Sequence, residues 1–186
     1  MRTKTTSIML AAVLASPVTL AGISMADGKR GPTVLTAPPV SLTRTYLEAE
    51  ARDRLTGSEM DAEYAKKTIG TDTVERFGAE FEIIDPNSLS VDENTVLEIH
   101  VNGALACTFK TPGILETETR RGQTVQKIEF RAGIQHTNIG GVDTIKEVGD
   151  CGKLVPVAND GDKAEIVINS NGSLTPVLTG TFRADD

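Results

Sequence analysis

The stretch TVLEIHVNGALACTFK, residues 95–110, decides the fold class of this chain. It places two runs of β-forming residues on either side of Asn102-Gly103, the strongest two-residue signal for a β-hairpin. A two-residue turn there pairs Ile99 with Ala106 across the two strands. The sequence therefore predicts an antiparallel hairpin with one apolar face directed into a core.

Further strands are predicted on both sides of this hairpin. Alternating segments bounded by turn residues recur about every 8–12 residues, a spacing typical of antiparallel sandwiches and barrels. A second hairpin is predicted around Asn171-Gly172, with Pro176 at an edge or a bulge. The remaining predicted strands cover residues 79–84, 124–131, 144–148, 154–157 and 163–168, and the polar residues 116–122 are predicted to form a loop. We therefore predict a mainly β domain over residues 78–184, an antiparallel β-sandwich of immunoglobulin-like or jelly-roll-like type.

A short helical segment is predicted before the sandwich, over residues 45–70. The stretch Thr45–Glu48 fits a capping box, in which a threonine caps the helix and a glutamate reaches back to it. Leu47, Ala51 and Leu55 then recur at a spacing of four, which places them on one face of a helix.

The first residues of the chain have the features of an export signal. Two basic residues precede an apolar run, and residues 24–26 put small side chains three and one before a cut. A transmembrane anchor needs about 20 apolar residues in a row, and Pro17 interrupts this run. We therefore predict a signal peptide over residues 1–26, a flexible leader over residues 27–44, and a periplasmic or extracellular location without a membrane span after cleavage.

The composition excludes several classes of partner. The chain has 19 Lys and Arg against 26 Asp and Glu, which gives a formal net charge of −7. This balance repels phosphate backbones, so we expect no binding to nucleic acid. The chain also has only five Phe, two Tyr and no Trp, and sites that stack sugars or bases depend on aromatic faces.

Two cysteines occur, Cys107 and Cys151. In an exported protein, two cysteines usually pair, and this pair would close a loop of about 45 residues. The alternative is a redox-active or metal-binding thiol, but the chain has no C-x-x-C motif. The hairpin register predicts that Cys107 shares a face with Glu98, opposite to the face of Ile99.

The residues that could perform chemistry are few. His100 and His136 are the only histidines, and their spacing matches no metal motif. The nucleophile elbow, the P-loop, the dinucleotide-binding glycines and H-E-x-x-H are all absent. We therefore predict no catalytic residue, no cofactor and no metal site. A Ser-His-Asp site assembled from distant residues remains open, because its members need not be adjacent in sequence.

The last predicted strand carries one resemblance to a known family. Residues 175–184 alternate as in the terminal strand of chaperone–usher pilins, which also carry a disulfide and an N-terminal extension. The chain departs from those pilins in its ending, Asp185-Asp186, and in the helical segment predicted after the leader. The resemblance extends to these general features alone.

These observations favour a non-enzymatic function. We expect an exported structural or accessory subunit that binds another exported protein or itself, through long strand edges and the leader. The first alternative is an exported protein that binds a small ligand or an ion through acidic loops. The second alternative, with less support, is a hydrolase without a recognisable motif.

Overall fold

The structure is a computed structural model that describes residues 40–84, 89–120 and 122–184. The predicted signal peptide and most of the predicted leader lie outside the described residues. The strands are β1 (Leu42–Asp53), β2 (Ser58–Ile69), β3 (Asp72–Ile83), β4 (Leu97–Val101), β5 (Ala104–Thr108), β6 (Ile114–Arg120), β7 (Gln123–Ile139), β8 (Val142–Val148), β9 (Lys163–Ser170), β10 (Ser173–Thr181) and β11 (Arg183–Ala184). Among these residues, no helix is long and apolar enough to span a membrane.

The strands form two antiparallel sheets that pack face to face. The large sheet has seven strands in the order β11-β1-β2-β3-β7-β6, and β8 pairs with β7 beside β6. The small sheet has four strands in the order β10-β9-β4-β5. One buried apolar cluster takes residues from both sheets. This arrangement confirms the predicted antiparallel sandwich.

The predicted helical segment is wrong, because residues 45–70 lie in β1 and β2, which pair along their whole length. A spacing of four places residues on one face of a strand as well as of a helix. Ala49 distinguishes a strand from a helix, because it lies midway between Leu47 and Ala51 in the sequence and is buried together with Leu47. Leu55, which the helical pattern places on the apolar face, is 94 % exposed in the turn after β1.

The boundaries of the sandwich domain also differ from those predicted. The domain begins at β1 rather than at residue 78, so the end of the predicted leader, residues 42–44, belongs to a strand. Within the polar stretch predicted as a loop over residues 116–122, residues 116–120 belong to β6, where threonines alternate with glutamates on an exposed edge. Residues 154–157, predicted as a strand, pair with no described strand. Polar strands at an edge carry little apolar signal, which explains why β6 resembles a loop in the sequence.

On the inner face of the large sheet, side chains of similar size lie in rows across the strands. Strands β1, β2, β3 and β7 each place an alanine in one cross-strand row, and larger apolar residues fill the rows beside it. The alanine row is Ala49, Ala62, Ala79 and Ala132, and the neighbouring rows are Leu47, Tyr64, Phe77 and Ile134, and Ala51, Met60, Phe81 and Phe130. All but Ala51 are buried, so these rows form the large-sheet side of the core.

Both predicted hairpin turns are confirmed. Asn102 and Gly103 have φ angles of 51° and 76°, and Asn171 and Gly172 have 53° and 87°. Positive φ at both central residues is the type I′ geometry, whose twist matches that of the flanking strands. Pro176 lies at a register shift between β9 and β10, as predicted for a proline in a strand.

The predicted register of the first hairpin holds only next to its turn. Val101 pairs with Ala104 as expected, but Ile99 pairs with Cys107 instead of Ala106, because a bulge inserts one residue into β5. The bulge turns Cys107 towards the core side of Ile99, where it is fully buried. The predicted shared face of Cys107 and Glu98 is therefore wrong, because a hydrophobic pattern in both strands does not reveal a bulge.

A glycine allows the two sheets to approach each other where β10 crosses β1. A Cβ atom on Gly180 would lie 2.9 Å from the backbone oxygen of Glu50 and 2.7 Å from the Met60 methyl. We expect Gly180→Ala to lower the free energy of unfolding by about 2 kcal/mol, because backbone must shift to admit the methyl group. Urea unfolding followed by circular dichroism measures the change.

The matched control for Gly180→Ala is Gly78→Ala. A Cβ atom on Gly78 would meet nothing within 4 Å. Alanine there is expected to be neutral or slightly stabilising, since glycine weakens a strand interior. Equal stabilities of the two variants would contradict the close approach at Gly180.

Candidate functional site: the acidic face of the large sheet

The outer face of the large sheet collects most of the charged residues of its strands. Side chains alternate along a strand, so the residues between the buried positions of β1, β2, β3 and β7 point away from the core. The register places them in cross-strand rows. Three consecutive rows are Glu48, Glu63, Gly78 and Gly133; Glu50, Asp61, Glu80 and Arg131; and Arg52, Glu59, Glu82 and Glu129. We call the eight carboxylates of these rows the acidic patch.

Three carboxylates of the acidic patch converge at its β1–β2 side. Oxygen atoms of Glu48, Asp61 and Glu63 all lie within 4.8 Å of one another. Their positions follow from the pairing of Glu48 with Glu63, while Asp61 precedes Glu63 by two residues on the same face of β2. Three carboxylate oxygens at this separation can contact one cation of the hard type, such as Ca²⁺, which prefers oxygen ligands.

Crowding changes the protonation of Asp61. Desolvation among its neighbours, followed by repulsion from Glu48 and Glu63, raises the pKa of Asp61 to about 6. Tyr46 lies on the same face of β1, and desolvation followed by repulsion from Glu63 raises the pKa of Tyr46 to about 12. The cluster therefore favours a bound proton or another positive charge.

Cations from the same strands neutralise much of the acidic patch, including Glu63 of the three converging carboxylates. Arg76 Nη2 lies 3.0 Å from Glu63 Oε2, and Lys127 Nζ lies 2.7 Å from Glu82 Oε2. Arg52 pairs with Glu59 in the same way at the far corner. Asp61 therefore lies among carboxylates of which Glu63 already has a cationic partner from the same sheet.

Glu129 is the most deeply buried member of the patch, at 5 % exposed. It lies between Lys127, whose Nζ is 3.6 Å from Oε2, and Arg131, which contacts Oε1 outside hydrogen-bond geometry. Glu80 stands beside it: desolvation, and then repulsion from Glu129, raises the pKa of Glu80. This side of the patch is thus filled by side chains from its own strands.

The two histidines lie apart from the acidic patch. His100 is buried in the small sheet, with Nε2 2.8 Å from Glu98 Oε2 and Nδ1 3.4 Å from the Gly103 carbonyl oxygen. Burial raises the pKa of Glu98, but hydrogen bonds from Asn169 and His100 outweigh it and hold that pKa below its usual value. Both ring nitrogens of His100 face partners that already explain its presence in a packed sheet.

His136 is half-exposed on β7, at the end of the sheet that carries the β7–β8 hairpin. Its Nε2 lies 3.1 Å from Asp143 Oδ1, which also accepts a hydrogen bond from Asn138. Residues 159–162 form a turn, in which Asp162 accepts hydrogen bonds from both nitrogens of Asn159. The structure brings neither of these groups to the acidic patch.

The predicted disulfide is confirmed. Cys107 of β5 and Cys151 are bonded. Next to the bond, Thr108 and Asp150 exchange two backbone hydrogen bonds, of 2.7 and 3.0 Å. The bond therefore ties the edge of the small sheet to the segment that follows β8 of the large sheet. A disulfide of this kind indicates an oxidising compartment.

Sequence reasoning did not find the acidic patch. The predicted helical segment over residues 45–70 contains its β1 and β2 members, and its β3 and β7 members lie far along the chain. The alternation of Glu48, Glu50 and Arg52 with alanine and leucine was the available signal, since period two predicts a strand with one charged face.

Searches of protein-family profiles, of curated proteins and of solved structures found no match to this chain.

Asp61 is expected to make stability depend on pH. Its pKa is raised from about 3.8 in the unfolded chain to about 6 in the folded one, so the folded state binds the proton more tightly. The stabilisation that proton binding to Asp61 gives the folded state is complete below pH 3.8 and is lost as the pH rises through 6. Because Asp61 is exposed on one side, solvent screening reduces the effect to about 1 kcal/mol.

The variant Asp61→Asn tests this expectation. Between pH 4 and pH 7, the free energy of unfolding of this variant should lack the decrease that Asp61 contributes in wild type. Urea unfolding at each pH measures this free energy. Asp160→Asn is the control and should keep the wild-type pH dependence, because Asp160 lies on an exposed turn and is not among the charges that raise the pKa of Asp61. The same pH dependence in Asp61→Asn and wild type would show that Asp61 ionises normally.

Proposed function

We propose that this protein is an exported, non-enzymatic structural or accessory subunit that works by binding another exported protein or a further copy of itself. The observation that carries the proposal is the open edge of β1. Residues 42–46 pair with β2 on one side, and no described strand pairs with them on the other. An open edge offers backbone donors and acceptors to a strand of a second protein.

The open edge of β1 points its hydrogen-bonding groups outward at alternate residues. Gly70 N donates to Ser41 O, so Ser41 and Gly70 form a hydrogen-bonded pair across β1 and β2. Because these groups alternate in an antiparallel ladder, the N–H and C=O groups of Leu42, Arg44 and Tyr46 point to the open side. Further along, β11 takes up the edge at Leu47 and Glu48.

Other edges of the large sheet carry more charge. β8 pairs only with β7 and is exposed throughout, but it carries Asp143, Lys146 and Glu147. β6 carries Glu116 and Glu118 on its exposed edge. Charged side chains protect edges against pairing with other strands. The first half of β1 has a single charged residue and is therefore the edge of the large sheet best suited to a partner strand.

The compartment belongs to the same proposal. The disulfide indicates an oxidising environment, and the signal features of residues 1–26 support export. We propose a periplasmic or extracellular location, in which the mature chain starts near residue 27. The leader then runs directly into the open edge, since β1 begins only 15 residues further on, at Leu42.

The experiment that tests edge binding is the substitution Leu42→Pro. Proline removes the outward N–H of Leu42 without removing a bond to β2, and proline is tolerated on edge strands. We expect the native complex of the mature protein to dissociate in Leu42→Pro while the unfolding midpoint stays within a few degrees of wild type. Leu42→Thr keeps the N–H and is the matched control.

Ion binding is the second candidate function, favoured by the convergence of Glu48, Asp61 and Glu63. The ligands would come from strands rather than from the acidic loops predicted from sequence. A cation bound only by the folded state would stabilise it, by about 1 kcal/mol at a concentration several times the dissociation constant.

Calcium titration distinguishes this candidate from the first. Millimolar Ca²⁺ should raise the thermal midpoint of wild type and leave that of Asp61→Asn unchanged, while Asp160→Asn should respond as wild type does. Equal midpoints with and without Ca²⁺ and Mg²⁺ in wild type would reject the ion-binding candidate and leave the edge proposal untouched.

A further inference from the structure

Charge on the outer face of the large sheet is separated along the strand direction. The acidic patch occupies the half of the face near the β1–β2 turn. The other half, towards the β2–β3 turn, carries cations on the same strands. The basic patch consists of Arg44 on β1, Lys67 on β2, Arg76 on β3 and Lys146 on β8. The register places Arg44 directly beside Lys67 and extends the row of Arg76 to Gln135 and Lys146.

The boundary between the two patches falls between two adjacent rows. Tyr46, Ala65, Arg76 and Gln135 form the last row of the basic half, and Glu48, Glu63, Gly78 and Gly133 form the first row of the acidic half. Successive rows on one face are two residues, or about 6.8 Å, apart. The acidic half therefore has three charged rows and the basic half has two, with Leu42, Ile69 and Asp72 forming the row beyond them.

This pattern is complementary to itself under one two-fold rotation. The rotation axis lies in the face, runs across the strands and passes between the Tyr46 and Glu48 rows. Rotation about this axis places each basic row over an acidic row of a second copy. Arg44 of one copy then faces Glu50 of the other, and Lys67 faces Asp61. An isologous interface forms each such contact twice.

Two glycines make room at the centre of the same arrangement. The rotation places the long side chains of Arg76 and Gln135 over Gly78 and Gly133 of the other copy. A Cβ atom on Gly78 would meet nothing within 4 Å, so the space above it is open. The glycines therefore form a shallow depression where the opposed face has its longest side chains.

The size of the face is sufficient for a specific interface. Five strands about 4.8 Å apart and six rows about 6.8 Å apart span about 19 by 34 Å. This corresponds to roughly 650 Å² for each partner, within the range of standard protein–protein interfaces. Sheets that pack face to face keep their strands within about 30° of each other, which preserves the opposition of the rows.

We propose that a second copy of this chain binds here, with the outer faces of two large sheets opposed in a two-fold dimer. This dimer rests on the proposed function and specifies its partner as a second copy of the chain. It uses the sheet face and not the β1 edge, so it can fail while edge binding holds.

A charge-swap experiment on the mature, disulfide-bonded chain tests the proposal. One variant carries Arg44→Glu and Lys67→Glu, and the other carries Glu50→Lys and Asp61→Lys. Each should be monomeric by sedimentation equilibrium at concentrations where wild type is dimeric, with the dissociation constant raised at least about 100-fold. A one-to-one mixture should dimerise again, because both opposed contacts regain opposite charges.

A second variant covers the possibility that reversed charges prevent folding. Gly78→Tyr places a bulky side chain at the open central depression, where a Cβ atom would meet nothing within 4 Å, and should also give a folded monomer. A monomeric wild type at about 100 μM would overturn the proposal, as would variants that all dimerise as wild type does. A dimer that survives the charge variants but is lost in Leu42→Pro would overturn it and support edge binding instead.

Discussion

Replacing Cys107 and Cys151 by alanine should lower the free energy of unfolding by about 4 kcal/mol. The bond joins residues 44 positions apart, and the loop-entropy relation gives about 4 kcal/mol for a loop of this length. The loss is a large part of the stability of a small domain, which is usually about 5–15 kcal/mol. Urea unfolding followed by far-ultraviolet circular dichroism measures the change, since the chain has no Trp for fluorescence.

The position of the disulfide explains why its loss should affect the whole sandwich. Cys107 lies at the edge of the small sheet, and Cys151 follows β8 of the large sheet. The neighbouring Thr108–Asp150 bridge relies on Gly149, because a Cβ atom there would lie 2.3 Å from Thr108 O. Reduced wild type should match the double variant within about 1 kcal/mol. A loss below about 1 kcal/mol in both would contradict this account of the bond.

Phe130→Ala should cost about 4 kcal/mol, the usual effect of removing a large buried aromatic ring. Phe130 lies on β7 in the row next to the alanine row, fully buried, and its ring stacks against Phe81 with centroids 6.3 Å apart. The loop before β6 also packs on this ring, since a Cβ atom on Gly113 would lie 2.8 Å from it. The cavity would therefore open where the β5–β6 connection closes over the core.

Leu105→Ala is the control for Phe130→Ala. Leu105 lies on β5 and is 57 % exposed, so its truncation should change stability by less than about 0.5 kcal/mol. The same urea experiment measures both variants, with equal m-values as evidence that the folded state is unchanged. Similar small losses in both variants would show that the core does not close around Phe130.

The parts of the fold that the sequence predicted depend on local chemistry. Asn102-Gly103 and Asn171-Gly172 are turn dipeptides whose backbone preference needs no tertiary contact, and both hairpins form around them. Pro176 cannot donate in a ladder, and it lies at a bulge as expected. The disulfide is predictable from the number of cysteines and the predicted compartment, without knowledge of the distance between the two residues.

The parts that the sequence did not predict depend on tertiary context. Alanine and glutamate favour helices, yet β1 and β2 use Ala49 and Ala62 where the two sheets approach closely. The bulge in β5 leaves no mark in the hydrophobic pattern, and it alone turns Cys107 inward. The acidic patch requires the register of four strands, so no motif search could find Glu48 beside Glu63 and Asp61.

The native mass of the mature protein, released gently from its own cells and measured by light scattering, tests the proposed function most directly. We predict a complex well above the mass of one chain in wild type and in Leu42→Thr, and a smaller species in Leu42→Pro. A wild-type protein that is monomeric in this preparation, with the mass of the cleaved chain, would contradict the proposal that it functions as a subunit.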